Sequence, residues 1–378
     1  MGKLKIGFVL DDTLDTPDGV QQYILSLGSW LAAQGHEVHY LVGQTSRTDI
    51  PHVHSLGRNV KVCFNGNRMS TPLPASRRRV RRLLADEQFD ILHVQIPYSP
   101  FMAARVIAAA PAQTAVIGTF HIAPHSGMVT AGNRLLALLL RRSLKRFDAI
   151  YSVSQAAADF ASSVYGIQSA ILPNVVNASA YRQAEPFPSS GVPTIVYLGR
   201  LVPRKGCAIL LSAITQLKKA YGQPFRVVVC GRGPLESGLK AYAQDNGLSG
   251  MVDFVGFVSE EDKARYLKAA DIAVFPSTGG ESFGIVLIEA MAAGHPVVLG
   301  ADNPGYHTVL APHPDSLFPV NSPGALAGKL HKFLADSSAS KETLGWQQGY
   351  VRQFDVGFVG PRLIARYQEA LRSRRGVR

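Results

Sequence analysis

"GGESFGIVLIEAMAAGHPVV", Gly279 to Val298, is a glycine-rich loop, then an apolar helical segment closed by Gly294, then the start of an apolar strand. A helix bounded in this way and followed at once by a buried strand is part of a βαβ unit. Two carboxylates, Glu281 and Glu289, interrupt this otherwise apolar stretch eight residues apart. Acids are rarely buried without a partner, so these two call for a counterion or a ligand. The spacing predicts a helix from near Phe283 to Gly294, which leaves the first-turn N–H groups of Phe283, Gly284, Ile285 and Val286 for an anion or a sugar. At about 100° per residue the two acids lie about 80° apart in projection, so both can face one ligand. Carboxylates accept hydrogen bonds from vicinal hydroxyls, and one acid could hold a sugar while the other holds a ribose.

Outward from this stretch, short apolar strands alternate with helical patterns along the whole chain, the signature of parallel sheets. The first series is Lys5–Leu10, Glu37–Gly43, Lys61–Phe64, Asp90–Ile96, Ala115–His121, Ala149–Ser154 and Ala170–Pro173. The polar stretch "NASAYRQAEPFPSSGVP", Asn177 to Pro193, reads as a linker. A second series follows: Thr194–Gly199, Phe225–Cys230, Val252–Phe257, Ile272–Pro276, Pro296–Gly300 and Leu317–Val320. The fold class expected is α/β, with two doubly wound parallel-sheet domains facing each other across a cleft. Their extents are residues 1–178 with a returning helix over 355–378, and residues 179–354. In that tail, Phe358, Leu363, Ile364, Tyr367 and Leu371 fall on one side. A chain of 378 residues exceeds what one core supports, in keeping with two domains.

The composition, 46% apolar and 17% charged, is globular and rules out a disordered chain. No apolar run is long enough to span a bilayer, and a strand begins at Lys5 with no signal-peptide layout. Cys63, Cys207 and Cys230 are widely spaced and form no CxxC pair, which fits a reducing cytosol. The net charge of +12 divides into +6 over residues 1–185, +1 over 186–350 and +5 over 351–378. Such a surface suits an anionic partner. The run "SRRRVRRLL", Ser76 to Leu84, sets Arg77, Arg78, Arg79, Arg81 and Arg82 against Val80, Leu83 and Leu84. It reads either as a solvated basic helix or as one that docks on anionic lipid. No aromatic interleaves with the run and no nucleic-acid motif is present, so nucleic acid is not expected as a partner.

Three other stretches, and a second reading of the first, could carry chemistry. In "YLGRLVPRKGCAILLSAI", Arg200, Arg204 and Lys205 cluster between a strand end at Gly199 and a helix start near Gly206, a phosphate site by construction unless the loop is only solvated. In "DDTLDTPDGVQQ", Gly19 opens a helix and could approach an anion closely, with capping by Asp18 the plainer reading. Asp11, Asp12 and Asp15 in the same loop lack a His or Glu ligand at a diagnostic spacing, so no metal is expected. In "GTFHIAPHS", His121 ends a strand, and Pro124 prevents His121 and His125 from forming a helical metal pair. "GESFG", Gly280 to Gly284, matches a hydrolase nucleophile elbow at Ser282, with Asp302 and His307 in the right order, but "STGG" intervenes after the strand.

The E-x7-E unit Glu281…Glu289, the Arg200…Lys205 loop, "TFH" at His121, "PDGVQ", "FNG" and "GRGPLES" occur in an order that resembles the retaining GT-B glycosyltransferases of family 4, above all bacterial members that mannosylate phosphatidylinositol. The resemblance covers nearly the whole chain. It implies two Rossmann-like domains with the C-terminal helix crossing back to the first. It implies that Gly19, Arg200 and Lys205 bind the donor diphosphate, that Glu281 and the N–H groups of Phe283, Gly284, Ile285 and Val286 bind the donor sugar, and that Glu289 binds the ribose. Val258 and Lys263 would lie along the base, His121 would touch the transferred sugar, and Gln21 and Asn65 would lie near the lipid headgroup. Catalysis would fall to His121, Glu281, Arg200 and Lys205. The donor implied is GDP-mannose, with a UDP-sugar as alternative, and no further cofactor. The acceptor implied is phosphatidylinositol or a related lipid, with diacylglycerol or a soluble glycan as alternatives. The protein is expected to be a monomer or weak dimer in the cytoplasm, peripheral on the inner face of the membrane. Two positions depart from the family: Phe64 replaces a tyrosine before Asn65, and Asp18 replaces a glycine before Gly19.

Overall fold

The computed structural model describes residues 2–16, 18–64, 67–73, 75–121 and 127–376. Fifteen strands are named here in chain order: β1 Lys5–Leu10, β2 Glu37–Val42, β3 Val53–Ser55, β4 Asn59–Phe64, β5 Asn67–Pro72, β6 Ile91–Gln95, β7 Ala115–Phe120, β8 Ala149–Ser152, β9 Ala170–Ile171, β10 Thr194–Leu198, β11 Arg226–Cys230, β12 Val252–Gly256, β13 Ile272–Phe275, β14 Val297–Ala301 and β15 Leu317–Phe318. They form two parallel sheets, ordered β3-β2-β1-β6-β7-β8-β9 and β12-β11-β10-β13-β14-β15, and one antiparallel hairpin, β4-β5. Central strands such as β6 and β13 are buried along their full length. With helices covering both faces, β13 reads as an unbroken apolar run, whereas β6 buries His93 and Gln95 among its apolar residues.

The chain divides into two compact units, residues 1–175 with 356–378, and residues 176–355. The sheet of the first unit packs on the helix Gly19–Ala33 and the tail helix Val356–Gly376, through Tyr23, Leu27, Val359, Leu363 and Tyr367. The tail helix buries Val359, while Phe358 is 47% exposed with Arg362 over its ring. The expected apolar side of that helix is therefore right at Leu363, Ile364, Tyr367 and Leu371 and wrong at Phe358.

Two further expectations are corrected. Lys61–Phe64 lies in the hairpin and not in the parallel sheet, and the third strand of the first sheet is the short β3. Part of the stretch read as linker is ordered in the second unit. Asn177 caps the helix Ala178–Gln183, Tyr181 is buried, and the Val176 N–H donates to the Phe354 carbonyl.

In both sheets the order reverses beside the first strand of the unit, between β1 and β6 and between β10 and β13. Ligands of doubly wound sheets bind beyond the carboxyl ends of the strands at such a reversal. The loops there carry Asp11 and Asp12 in the first unit, beside Gln95 at the end of β6, and Arg200–Lys205 with Ser277–Gly284 in the second.

Candidate active site

The loop after β10 and the loop after β13 are fastened together. Arg204 offers its carbonyl to the Thr278 N–H at 2.8 Å, and that oxygen lies 3.0 Å from Ser277 Oγ. Gly206 adopts a left-handed φ of 71°, and a Cβ there would lie 2.0 Å from the Pro276 carbonyl oxygen, so only glycine permits this approach. The result is a short, tied loop that delivers two cations to one carboxylate. Lys205 Nζ and Arg204 Nη1 lie 2.8 and 3.0 Å from Glu281 Oε1, which also accepts from Ser277 Oγ at 2.7 Å. Burial pushes the Glu281 carboxyl up, but Lys205, Arg204 and Ser277 hold it below the usual carboxylate range. It is an anion at neutral pH.

The helix that follows runs Ile285–Ala293, two residues shorter at its start than the sequence predicts. Gly284 precedes it with a φ of 100°, packed so tightly that a Cβ would lie 2.6 Å from the Tyr306 ring. Phe283 is buried against Phe354. The first-turn donors therefore begin at Ile285 and Val286. One helical turn on, Glu289 is buried and its Oε1 lies 2.7 Å from Lys263 Nζ. Lys263 also meets Glu260 at 2.6 Å and lies 5.8 Å over the Tyr181 ring. Burial alone would favour a neutral lysine, yet Glu289, Tyr181 and Glu260 raise its pKa well above the ordinary value. Val258 is half-buried between β12 and the helix Glu260–Lys268, while Phe257 beside it is 61% exposed.

Arg200 follows β10, half-buried, and has no ion-pair partner among the described residues. Glu281, Arg204 and Lys205 thus come together, as do Glu289 and Lys263. The sequence places Arg204 in the basic phosphate loop but does not pair it with Glu281, and it gives no role to Ser277 or to Asn303, whose amide donates to the Ser277 carbonyl at 2.9 Å. Polar residues just past two strand ends at an order reversal were the available signal.

In the first unit, His121 follows β7 and is buried. Its Nε2–H donates to Gln95 Oε1 at 2.7 Å, and its ring meets Tyr23 edge-on at 5.0 Å. Burial pushes its pKa down to about 3, so the imidazole is neutral and Nδ1 keeps its lone pair. Gln21 is buried and donates to the Thr13 carbonyl at 3.0 Å. Gly19 is exposed at the start of its helix, and Asp18 makes no side-chain cap there. Asn65 and His125 lie outside the described residues. The three aspartates serve the loops: Asp11 accepts from the Ala103 N–H at 2.8 Å, Asp12 from the Thr13 N–H at 2.7 Å, and Asp15 from Thr45 Oγ1 at 2.6 Å.

All five arginines of the helix Arg77–Glu87 are exposed. Val80 and Leu84 point into the core, so the apolar side expected to accompany the arginines is already covered by the protein. No described helix is long and apolar enough to cross a membrane. Ser282 lies seven residues beyond the end of β13, so it is not on a strand-to-helix elbow, although His307 Nδ1 and Asp302 Oδ1 are 2.8 Å apart.

Family comparisons agree with these two units. Residues 17–180 match the model described as Glycosyltransferase Family 4, and residues 181–345 match Glycosyl transferases group 1. The chain therefore belongs to the family 4 glycosyltransferases, with the two parallel-sheet domains of the GT-B fold. A phosphatidyl-myo-inositol mannosyltransferase of Mycolicibacterium smegmatis is 30% identical over 97% of this chain and 94% of its own. A GDP-mannose-dependent alpha-(1-6)-phosphatidylinositol monomannoside mannosyltransferase of Mycobacterium tuberculosis is 25% identical over 81% and 82%. A solved glycosyltransferase structure from Rickettsia africae matches with a TM-score of 0.75, at 17% identity over 98% of this chain and 99% of that one.

Proposed function

We propose that this glycosyltransferase moves mannose from GDP-mannose to the headgroup of phosphatidylinositol or a closely related lipid, with retention at the anomeric carbon. The observation that supports the acceptor and donor best is the 30% identity over nearly the full length to phosphatidyl-myo-inositol mannosyltransferases. The geometry supports the chemistry. Lys205, Arg204 and Arg200 surround the end of β10 and suit a diphosphate leaving group. With cations there, departure needs no metal. Glu281 Oε1 already takes Lys205, Arg204 and Ser277, so Oε2 is the oxygen assigned to the donor sugar, beside the N–H groups that open the helix Ile285–Ala293. Glu289 takes the ribose through Oε2 while Lys263 keeps Oε1. Gly19 is assigned to the diphosphate, Val258 and Lys263 to the base, Gln21 and Asn65 to the acceptor, and His121 to the transferred sugar.

In the reaction, the bond from the anomeric carbon to the β-phosphate oxygen breaks. The bond from that carbon to the acceptor oxygen forms on the same face. The acceptor proton passes to the departing diphosphate. Neutral His121 can accept a hydrogen bond from a sugar hydroxyl at Nδ1 but carries no charge to repel the developing positive charge on the sugar ring. The five exposed arginines, and a helix that exposes Leu138 and Leu139 beside Arg141 and Arg142, support attachment to anionic membrane at the inner face. A panel of GDP- and UDP-sugars tested on phosphatidylinositol and on diacylglycerol vesicles is the test. Transfer only from a UDP-sugar, or only to diacylglycerol, would replace this reading. Loss of all activity in Ser282→Ala with labelling by a fluorophosphonate would favour a hydrolase instead.

A further inference from the structure

Remote from the carboxyl strand ends, the first unit gathers His39, His54 and Glu87. His39 stands on β2, His54 on the edge strand β3, and Glu87 in the last turn of the arginine-rich helix. One nitrogen of each histidine and one Glu87 carboxylate oxygen lie within 4.8 Å of one another. His39 Nδ1 is 2.8 Å from His54 Nε2 and 3.9 Å from Glu87 Oε2, and His54 Nε2 is 4.0 Å from Glu87 Oε1. Ligands of a tetrahedral zinc ion at about 2.0–2.1 Å sit roughly 3.3 Å apart; the two histidine nitrogens lie about 0.5 Å inside that spacing, and the nearest Glu87 oxygen, Oε2 for His39 and Oε1 for His54, lies about 0.6–0.7 Å outside it.

The outer shell is also set. His39 Nε2–H donates to Glu37 Oε1 at 3.1 Å, because a carboxylate can only accept. That bond fixes the tautomer and leaves the Nδ1 lone pair to accept from His54 Nε2–H at 2.8 Å; a carboxylate on the far ring nitrogen is the outer-shell arrangement that metal-bound histidines use. Phe89 holds the ring edge-on at 5.2 Å, and His52 stacks on its other side at 4.5 Å. Lys5 Nζ already lies 2.7 Å from Glu87 Oε2 and 3.0 Å from Glu37 Oε1. It occupies one oxygen of each carboxylate and leaves Glu87 Oε1 for a cation. For a cation to enter, the proton between His39 Nδ1 and His54 Nε2 moves to His54 Nδ1, so both imidazoles remain neutral ligands. The His54 and Glu87 side chains keep 22% and 24% of their surface exposed, so solvent reaches the cluster.

We propose that His39 Nδ1, His54 Nε2 and Glu87 Oε1 bind a divalent cation of the zinc class, with water in the fourth position and Glu37 as the positioning residue for His39. The nitrogen-rich set selects zinc, cobalt or nickel over magnesium or calcium. The cation would pin the short edge strand β3 and the last turn of the arginine-bearing helix to β2. Its role is structural and independent of sugar transfer.

The test is calorimetric titration of tag-free, chelator-treated protein with Zn²⁺, with Co²⁺ absorption as a second probe. Wild type should take up one equivalent, show a tetrahedral Co²⁺ spectrum and gain thermal stability. His54→Ala and Glu87→Gln, each checked for folding by circular dichroism, should bind at least tenfold more weakly and lose the stabilisation. Glu37→Gln should weaken binding about 10–100-fold while keeping the same spectrum. Absence of stoichiometric uptake by wild type, or binding unchanged in His54→Ala and Glu87→Gln, would overturn the assignment.

Discussion

The buried pair Lys263–Glu289 offers a prediction that separates holding the fold from holding the donor. Lys263→Met leaves Glu289, whose side chain is 8% exposed, without its cation at 2.7 Å, and it also strips Glu260. An uncompensated buried charge costs about 3–5 kcal/mol. Glu289→Gln is milder, because Lys263 keeps Glu260 at 2.6 Å; losing one charge-assisted hydrogen bond costs about 1.5–3 kcal/mol. The double variant Lys263→Met/Glu289→Met replaces the pair with apolar groups and should regain most of the loss. The structure supplies its own reporter. Of the two tryptophans, Trp346 lies in the second unit, stacked on His313 and Tyr350 at 4.7 and 4.6 Å, and Trp30 lies in the first. In a Trp30→Phe background, urea unfolding followed by fluorescence reads the second unit alone. GDP titration by calorimetry then gives the other half. The double variant should be nearly as stable as wild type yet bind GDP about 10–150-fold more weakly, the same 1.5–3 kcal/mol now lost from the ribose contact. A double variant that is stable and binds GDP normally would refute the role of Glu289. A Lys263→Met variant that loses under about 1 kcal/mol would refute the energetic reading of the pair.

Lys205→Ala should weaken GDP and UDP alike by about 1.5–3 kcal/mol, read by calorimetry, because it removes a cation assigned to the diphosphate they share. His121→Ala should leave GDP affinity unchanged and slow transfer. His121 also makes the fold acid-sensitive: the unfolded chain binds a proton below about pH 6.5 and the native one only near pH 3, so stability falls with pH across that window by up to about 1.36 kcal/mol per pH unit. Urea midpoints of wild type and His121→Gln at pH 7 and pH 5 should show a shallower fall in the variant, and parallel falls would exclude this. A variant with Arg77, Arg78, Arg79, Arg81 and Arg82 changed to serine should float less with acidic vesicles. Turnover on a detergent-dispersed acceptor should survive EDTA even where thermal stability drops, and loss restored only by Mg²⁺ or Mn²⁺ would contradict departure without a metal.

Much of the fold was legible because parallel strands buried on both faces announce themselves as apolar runs, as in "IAVF" of β13 and "VVVC" of β11. The short β3 and the hairpin strand β5 were not legible: three residues, Val53–Ser55, and a polar run, Asn67–Pro72, carry no such signal. Glu281 and Glu289 stood out as acids in apolar surroundings. Their partners did not, since Arg204 and Lys205 meet Glu281 across more than seventy positions and Lys263 meets Glu289 from another helix. Phe358 was misplaced because helical period alone cannot tell a core position from one that stacks under an arginine. The metal-like cluster escaped notice because β2–β3 pairing and the end of the Arg77–Glu87 helix, not any local motif, bring His39, His54 and Glu87 together.

The central claim is retaining transfer of mannose to a phosphatidylinositol-type headgroup. It is tested most directly by incubating the protein with GDP-mannose labelled at the anomeric carbon and phosphatidylinositol vesicles, then reading the product by mass spectrometry and by the one-bond carbon–proton coupling at that carbon. The account predicts one added hexose on the inositol headgroup in the α configuration of the donor. A β-linked product, or an unmodified lipid alongside transfer from other donors or to other acceptors, would contradict it.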